Sequence, residues 1–457
     1  MTKKTILMAL FCAGISIAAF AQEEPGASLP EMVIDNTASI TEEKDVTDDI
    51  NDFLSSMGWT EGLNKKNGSK IFVSSGFAEI QAPRSDRNYA SSRVIAFDTA
   101  MLEAKKAMAK FLATEIRTQI MYSLDEGSFN QSNVASGSTI PEDETTMLAK
   151  VKMLINAKLD AALRAEGIDP DKAEKEALAK AARKQVNDIN FEKFTEAAAL
   201  SFISGMQVRK SFEASPANKK GTIGVVAVWS PVLQKMAESM LGLGPVPPKV
   251  PKTSIREQID KLDSKTLLTT FGVQQMLDED GNYVLVSFGQ DGALTDSATS
   301  ANAAYNKAQL NAVANIRQFA GENVNVSEKA FKAENTKEFE VAVDQFESEY
   351  SNASTFRNSV TAVADKMSIS GISPLKRWKA THPITGKPIY GVICTWSPNA
   401  SDMAKELKKQ LNERPKPQAQ GSAGSASSTT KTKNDKEKEL SGNSFHGAGA
   451  DADDDAY

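Results

Sequence analysis

The chain has 457 residues, with 53 basic and 59 acidic side chains, which gives a formal net charge of −6. An acidic balance argues against nucleic acid or an anionic membrane surface as the partner. Hydrophobic residues make up 40% and charged residues 25% of the chain, which is typical of globular protein, and the length is sufficient for two domains.

Residues 1–21 have the pattern of a secretory signal peptide. Lys3 and Lys4 form a basic start, residues 6–20 are apolar, and Ala19-Phe20-Ala21 fits a cleavage site. Cleavage after Ala21 would place the protein in the periplasm or outside the cell, whereas an uncleaved segment would act as an N-terminal anchor. The apolar stretch is too short to span a bilayer, so we expect no stable membrane insertion.

An internal repeat divides most of the remaining chain into two modules. Three stretches recur in the same order, which indicates a tandem duplication of a domain. The aligned pairs are 68–76 with 281–289, 96–111 with 304–319, and 224–231 (GVVAVWSP) with 391–398 (GVICTWSP). The predicted modules are residues 45–241 and 253–412.

Cleavage would remove Cys12 and leave only Cys394, so that no intramolecular disulfide could form. Phe11 precedes Cys12, where a lipoprotein signal requires a small residue, which argues against lipidation. Cys394 aligns with Ala227, so we expect a small core thiol. An intermolecular disulfide or a reactive thiol is the alternative.

The first module follows an acidic leader at 22–44, which we expect to be mobile. A stripe of alanines at helical spacing, Ala96, Ala100, Ala104 and Ala107, would let one long helix lie close to a sheet. Residues 141–205 are a predicted insertion of three helices. The other predicted elements are a helix at 47–57, a turn at 64–69, a strand at 71–80, the long helix at 88–122, a hairpin at 207–214 and 222–229, and a closing helix at 231–241.

Residues 242–252 contain four prolines and predict a stiff, extended linker. The second module repeats the plan with a shorter helical region at 327–368. Its other predicted elements are a helix at 254–262, strands at 267–276 and 283–289, a long helix at 296–321, a hairpin at 370–380 and 387–396, and a closing helix at 399–411. Residues 413–457, rich in Pro, Ser, Gly and Lys, are a predicted disordered tail.

The predicted fold class is therefore α+β, with two related modules. Each module would pack a small antiparallel sheet on a long Ala-striped helix, with extra helical insertions.

No motif predicts a catalytic, cofactor or metal site. His382 lies at the tip of the second predicted hairpin, where we expect a turn residue rather than a catalytic base. Asp278-Glu279-Asp280-Gly281 lacks the alternating ligands and the distal glutamate of a calcium loop, so a turn is expected there.

Six residues are candidates for partner binding. Trp229 and Trp396 end equivalent strands; each indole either packs at the edge of the core with its N–H bonded, or lies exposed at a binding groove. The acidic side chains of Asp451, Asp453, Asp454 and Asp455 form either a solubility tail or an electrostatic docking peptide that could also bind a cation weakly.

A strand, an Ala-striped helix and a hairpin behind a signal peptide resemble the small α/β domain of bacterial surface lipoproteins of the Helicobacter type, and the N-terminal region of the flagellar assembly protein. The residues that carry the resemblance are Gly76, the Ala96/Ala100/Ala104 stripe and the hairpin ending at Trp229, with their second-copy counterparts. The absent lipobox and the helical insertion depart from that pattern. The resemblance implies an interaction role in the envelope and no active site.

We therefore expect a non-enzymatic binding or scaffold protein of the bacterial cell envelope. Its partner would be an envelope protein or another exported macromolecule. The alternative is a periplasmic hydrolase that uses carboxylates in a groove between the modules. A self-assembling surface-layer component is a third hypothesis.

Overall fold

A computed structural model describes residues 40–41, 45–66, 69–125, 147–170, 172–215, 220–242, 244, 249–321 and 369–413. The chain divides into two compact units, Met1–Lys409 and Gln410–Tyr457. The first unit holds nearly all of both modules; of the second, only residues 410–413 are described. The predicted signal peptide, the second helical region and residues 414–457 of the predicted tail lie outside the described residues.

The first module contains a five-stranded sheet with the order β1-β4-β5-β3-β2. The pairs are antiparallel except for β1, which runs parallel to β4. Its elements are β1 (Ile40–Thr41), α1 (Val46–Met57), β2 (Gly62–Lys66), β3 (Ser69–Glu79), α2 (Tyr89–Asp125), α3 (Met147–Ala165), α4 (Lys175–Val186), α5 (Ile189–Phe202), β4 (Gln207–Ala214), β5 (Thr222–Trp229) and α6 (Pro231–Met240).

The second module contains a four-stranded antiparallel sheet with the order β6-β7-β9-β8. Its elements are α7 (Ile255–Asp260), α8 (Ser264–Thr269), β6 (Gly272–Leu277), β7 (Tyr283–Gly292), α9 (Ala298–Ala320), β8 (Ser373–Thr381), β9 (Pro388–Trp396) and α10 (Pro398–Glu413). The predicted α+β fold with two related sheet-and-helix modules is confirmed.

Each long helix lies unusually close to its sheet because a glycine faces an alanine. A Cβ atom added to Gly76 of β3 would lie 2.0 Å from the carbonyl oxygen of Ala100 in α2. In the second module, Gly289 and Ala308 have the same relationship, also at 2.0 Å. Ala96, Ala100 and Ala104 of the predicted stripe are buried on the contact face of α2, where the small size of alanine allows the close approach, and Ala304, Ala308 and Ala312 are their buried counterparts in α9. The fourth alanine of the predicted stripe, Ala107, is exposed.

The helical insertion completes the core of the first module. Helices α4 and α5 pack on α2, and α3 packs on α5 and α4, through buried apolar side chains, among them Ile155, Leu159, Phe191 and Phe194. These helices agree with the predicted insertion, within a few residues at their ends.

Two local predictions are wrong. Strand β2 lies where the sequence predicted only a turn, because the polar run Gly62–Lys66 pairs along its length with β3. The predicted strand at 267–276 is divided: Asp263 caps the short helix α8, and Gly272, at a φ of 77°, starts β6. Residues 40–41 of the predicted leader form β1, and its other residues, 22–39 and 42–44, lie outside the described residues.

The described end of the linker is attached to the second module rather than extended between two separate bodies. The amide of Lys249 donates to the carbonyl of Gly281 (2.7 Å), and the amide of Lys252 donates to the carbonyl of Asp278 (2.8 Å). The modules also share one hydrophobic cluster, which includes Val46 and Met236 from the first and Leu285 and Trp396 from the second. Among the described residues, no helix is long and apolar enough to cross a membrane.

Candidate functional site

The modules meet where β6 lies alongside β4. The backbone amide of Gln275 donates to the side-chain carbonyl of Gln207 at 2.7 Å. The hydroxyl of Ser211 contacts the carbonyl of Thr269 and accepts from the amide of Phe271 at 3.3 Å. Side chains of β4 therefore satisfy backbone groups at the start of the second module.

The Glu213 carboxylate is the centre of a buried polar network at this junction. Oε2 accepts from Nε and Nη2 of Arg93 at 2.9 and 2.6 Å. Oε1 contacts Nε2 of His382 at 2.9 Å and the hydroxyl of Tyr89 at 3.2 Å. The side chains of Arg93, Glu213, His382 and Tyr89 are completely buried. They come from α2, β4 and the β8–β9 turn, so the network joins both modules.

His382 is a turn residue, as predicted, but it is also held by its neighbours, which was not expected. Its Nδ1 accepts from the backbone amides of Ile384 (3.3 Å) and Thr385 (3.2 Å). A ring nitrogen that accepts two amides carries no proton, so the proton lies on Nε2 and is donated to Glu213. The imidazole therefore connects the second hairpin to the first module.

The other end of the network binds the end of α8 and the residues that follow it before β6. Arg93 Nη1 donates to the side-chain oxygen of Gln290 at 3.2 Å, and Nη2 donates to the carbonyl of Leu268 at 3.0 Å. The amide group of Gln290 donates to the carbonyls of Leu267, Leu268 and Thr270. The guanidinium also lies over the ring of Phe271, 5.2 Å from its centroid.

The charges within the network are stabilised by one another. Burial alone would raise the pKa of the Glu213 carboxyl, but the Arg93 guanidinium and the His382 contact lower it to about 2. Burial and the Glu213 charge together raise the pKa of the Tyr89 hydroxyl to about 12. Glu213 is therefore ionised and Tyr89 is neutral over the physiological range. Since neither group changes its charge near neutral pH, we interpret the cluster as a structural contact between the modules.

A second buried charge lies on α2. Burial lowers the pKa of the Lys105 ammonium to about 7, and the nearby Asp98 carboxylate offsets only part of this effect. Both side chains are almost completely buried. Asp98 and Lys105 were not predicted from the sequence, because the buried side of this helix was predicted from its alanines and other apolar residues alone.

The two candidate tryptophans lie in the core, and the interpretation of exposed aromatics at a groove is wrong. Both are buried. The indole N–H of Trp229 donates to the carbonyl of Ser204, and that of Trp396 donates to the carbonyl of Ser370, both at 3.0 Å. Equivalent bonds in the two modules show that these tryptophans fix the corner that precedes each hairpin.

Other sequence candidates have structural positions. Cys394 is completely buried, as predicted, and burial raises the pKa of its thiol to about 11. Asp278 accepts from the amides of Asp280 and Asn282 in the predicted turn. In the part of the chain that the structure describes, no group of three His, Cys, Asp or Glu side chains could hold a metal ion. The acidic candidates at 451–455 lie outside the described residues.

The closing helices of the two modules differ in what covers them. In α6, the apolar side chains of Leu233, Met236 and Met240 are buried in the cluster shared with the second module. In α10, the residues equivalent to Met236 and Met240 are Met403 and Leu407, whose exposed fractions are 74% and 58%. Helix α10 therefore has apolar residues at the same positions as α6, but these residues are exposed to solvent instead of packed against another module.

Comparisons with known proteins do not reveal an activity. Residues 145–242, which span the insertion, the first hairpin and α6, match the model of a domain of unknown function (DUF6844). The chain is similar to the crystal structure of hypothetical protein FTT1539c from Francisella tularensis, with a TM-score of 0.46 and 17% identity over 79% of this chain and 96% of that one. Among curated proteins, no match was found.

Proposed function

We propose that the chain is a non-enzymatic binding or scaffold protein of the bacterial cell envelope, exported to the periplasm or beyond it, and that α10 is its docking element. The observation that carries the proposal is the exposed apolar face of α10. Met403 and Leu407 are one helical turn apart and present their side chains to solvent. Apolar side chains exposed at this i, i+4 spacing are typical of a helix that lays one face against a partner.

The internal duplication supports a docking role for this face. The same positions in α6 are filled by Met236 and Met240, which bury their side chains completely or nearly so against the second module. A helix face that serves as an interface in one copy is chemically suited to serve as one in the other.

The alternative of a hydrolase in a groove between the modules gains no support at the described junction. Glu213, the carboxylate at its centre, is fully buried and bonded to Arg93 and His382. A substrate could not reach this carboxylate without separating the modules, so no second function is proposed.

The test is a cross-linked pull-down from fractionated cells. The intact chain should capture a defined envelope partner, and the double variant Met403→Asp/Leu407→Asp should lose it. The matched control is Leu310→Asp, because Leu310 is a helical leucine with 68% exposure in the same module. Capture that the double variant retains would overturn the assignment to α10, and recovery of the chain in the cytoplasmic fraction would overturn the envelope role.

The predicted export is tested separately by sequencing the N-terminus of the protein from the periplasmic fraction. Cleavage after Ala21 would leave Gln22 as the first residue. A chain that retains Met1 in the cytoplasm would contradict export.

A further inference from the structure

We propose that the partner of α10 is a second copy of this chain. The end of the second module of one copy would dock on the start of the first module of the next, repeating between chains the junction that joins the two modules within a chain. This inference rests on the proposed docking role of α10 and names its partner.

The donor surface is equivalent to one already used inside the chain. At the internal junction, β4 buries Gln207 and Ser211 against the second module. The shared bulge, at Val208/Lys210 in β4 and Pro374/Lys376 in β8, aligns these residues with Ser373 and Arg377. Both of the β8 residues are exposed.

The closing helices show the same difference. Nε2 of Gln275 in β6 lies 3.2 Å from the sulfur of Met236, so α6 contacts the first strand of the second module directly. The equivalent methionine, Met403, is 74% exposed. Strand β8 and helix α10 thus leave uncovered the positions through which β4 and α6 form the internal junction.

The receiving surface is also present and is only partly covered. Gln275 pairs with Leu285, and the equivalent pair in the first module is Leu63 with Phe72. Leu63 is therefore the position that would contact Met403 of another copy. Gln275 is buried at the internal junction, whereas Leu63 is only half-buried.

The helix beside this strand shows the same change in burial. Phe319 of α9 is buried in the cluster that contains the apolar face of α6. Its counterpart in α2, Phe111, is only partly buried. Leu63 and Phe111, which are both neighbours of Phe72, thus remain partly exposed at the place where a closing helix would lie.

Residues 414–457 of the same chain are a poor alternative occupant. Leu440, Phe445 and Tyr457 are their only large apolar residues. A second copy instead offers an apolar surface with the geometry of an interface that the fold already forms. Because the donor and the receiver are different surfaces, the association is heterologous and can continue from copy to copy.

Disulfide trapping tests the pairing directly. In the chain that starts at Gln22, Cys394 is the only native cysteine and is buried, so background reactivity is low. The single variants Met403→Cys and Leu63→Cys, when mixed, should form a mixed disulfide at least about tenfold faster than Leu310→Cys mixed with Leu63→Cys. Met403→Cys alone should cross-link no faster than Leu310→Cys alone. Fast homodimers of Met403→Cys would indicate a symmetric α10–α10 contact and overturn the head-to-tail arrangement.

Sedimentation of the unmodified chain gives an independent readout. The mean mass of the native chain should rise with concentration. Met403→Asp/Leu407→Asp should weaken the association about tenfold, which corresponds to ~1.4 kcal/mol, because it places charges in an apolar contact. The control Leu310→Asp should leave the association unchanged. A chain that stays monomeric at all concentrations overturns this inference. If that monomer still captures an envelope protein through α10, the proposed function stands while the second copy is excluded as the partner.

Discussion

The Arg93 guanidinium and the Glu213 carboxylate form a completely buried ion pair, with Nη2 2.6 Å from Oε2. The two residues are separated by 120 positions, and they belong to α2 and β4. Because His382 and Gln290 of the second module bind the same pair, its geometry fixes how the two modules meet.

Removing the charge of Glu213 should destabilise the protein strongly. In Glu213→Gln the Arg93 cation stays buried without its counter-ion, which should lower the free energy of unfolding by about 3–5 kcal/mol. Chemical denaturation at neutral pH measures this change. The matched control is Glu79→Gln, because Glu79 forms an exposed pair with Lys220 and should contribute less than about 1 kcal/mol. The double variant Arg93→Met/Glu213→Leu should be more stable than Glu213→Gln, since it leaves no buried charge.

The same carboxylate should make stability depend on acid pH. Its pKa is about 2 in the folded protein and 4.5 by the ordinary value for glutamate, so the unfolded chain binds more protons between these values. The contribution of Glu213, roughly 3 kcal/mol, is complete above pH 4.5 and is lost as pH falls from 4.5 towards 2. Denaturation midpoints from pH 5 to 2.5 should fall more steeply for the native chain than for Glu213→Gln. Parallel curves would contradict the ionised state assigned to this residue.

Lys105 should make stability depend on pH above neutrality, with the same sign of slope. Its pKa is about 7 when folded and 10.5 by the ordinary value, so the folded protein binds fewer protons between these values. Stability should therefore rise with pH, by about 1 kcal/mol per pH unit from 7 to 8.5, and Lys105→Met should abolish this rise. Measurements should stop near pH 8.5. The pKa values of Cys394, Tyr89 and Tyr283 are raised in the folded protein, so at higher pH these groups lower its stability as pH rises.

The glycine–alanine contacts offer a matched pair of mutations. Gly76→Ala and Gly289→Ala each place a methyl group 2.0 Å from a helix carbonyl, so the helix must move away from the sheet. Each should lower the free energy of unfolding by about 2 kcal/mol or more, as overpacked sites do. Thermal denaturation of both variants tests whether the modules are equivalent. A negligible change in either would show that its helix can shift freely.

The sequence was sufficient to predict the elements that repeat. The alanine stripes, the two hairpins and both closing helices follow from local patterns that occur twice. Strand β2 was missed because Gly62–Lys66 is largely polar, and only its pairing with β3 makes it a strand. Patterns of this kind do not report long-range pairing.

The buried network was not predictable in the same way. Arg93 bonds to Glu213, 120 positions away, and to Gln290, 197 positions away, and these residues are of ordinary surface types. One signal was nevertheless present: at equivalent strand positions, the first copy has Glu213 and the second has Lys379. A charge that differs between equivalent positions of duplicated modules indicates that the two positions have different surroundings. Here Glu213 is buried at the junction, whereas Lys379 is exposed.

The shared cluster that joins Val46 and Met236 to Leu285 and Trp396 has a consequence for how the molecule melts. Two duplicated domains that were joined only by a linker would show two independent unfolding transitions. Here each module contributes side chains to a hydrophobic cluster that both share, so separating the modules would expose apolar surface to water. The two modules should therefore unfold together in one cooperative transition.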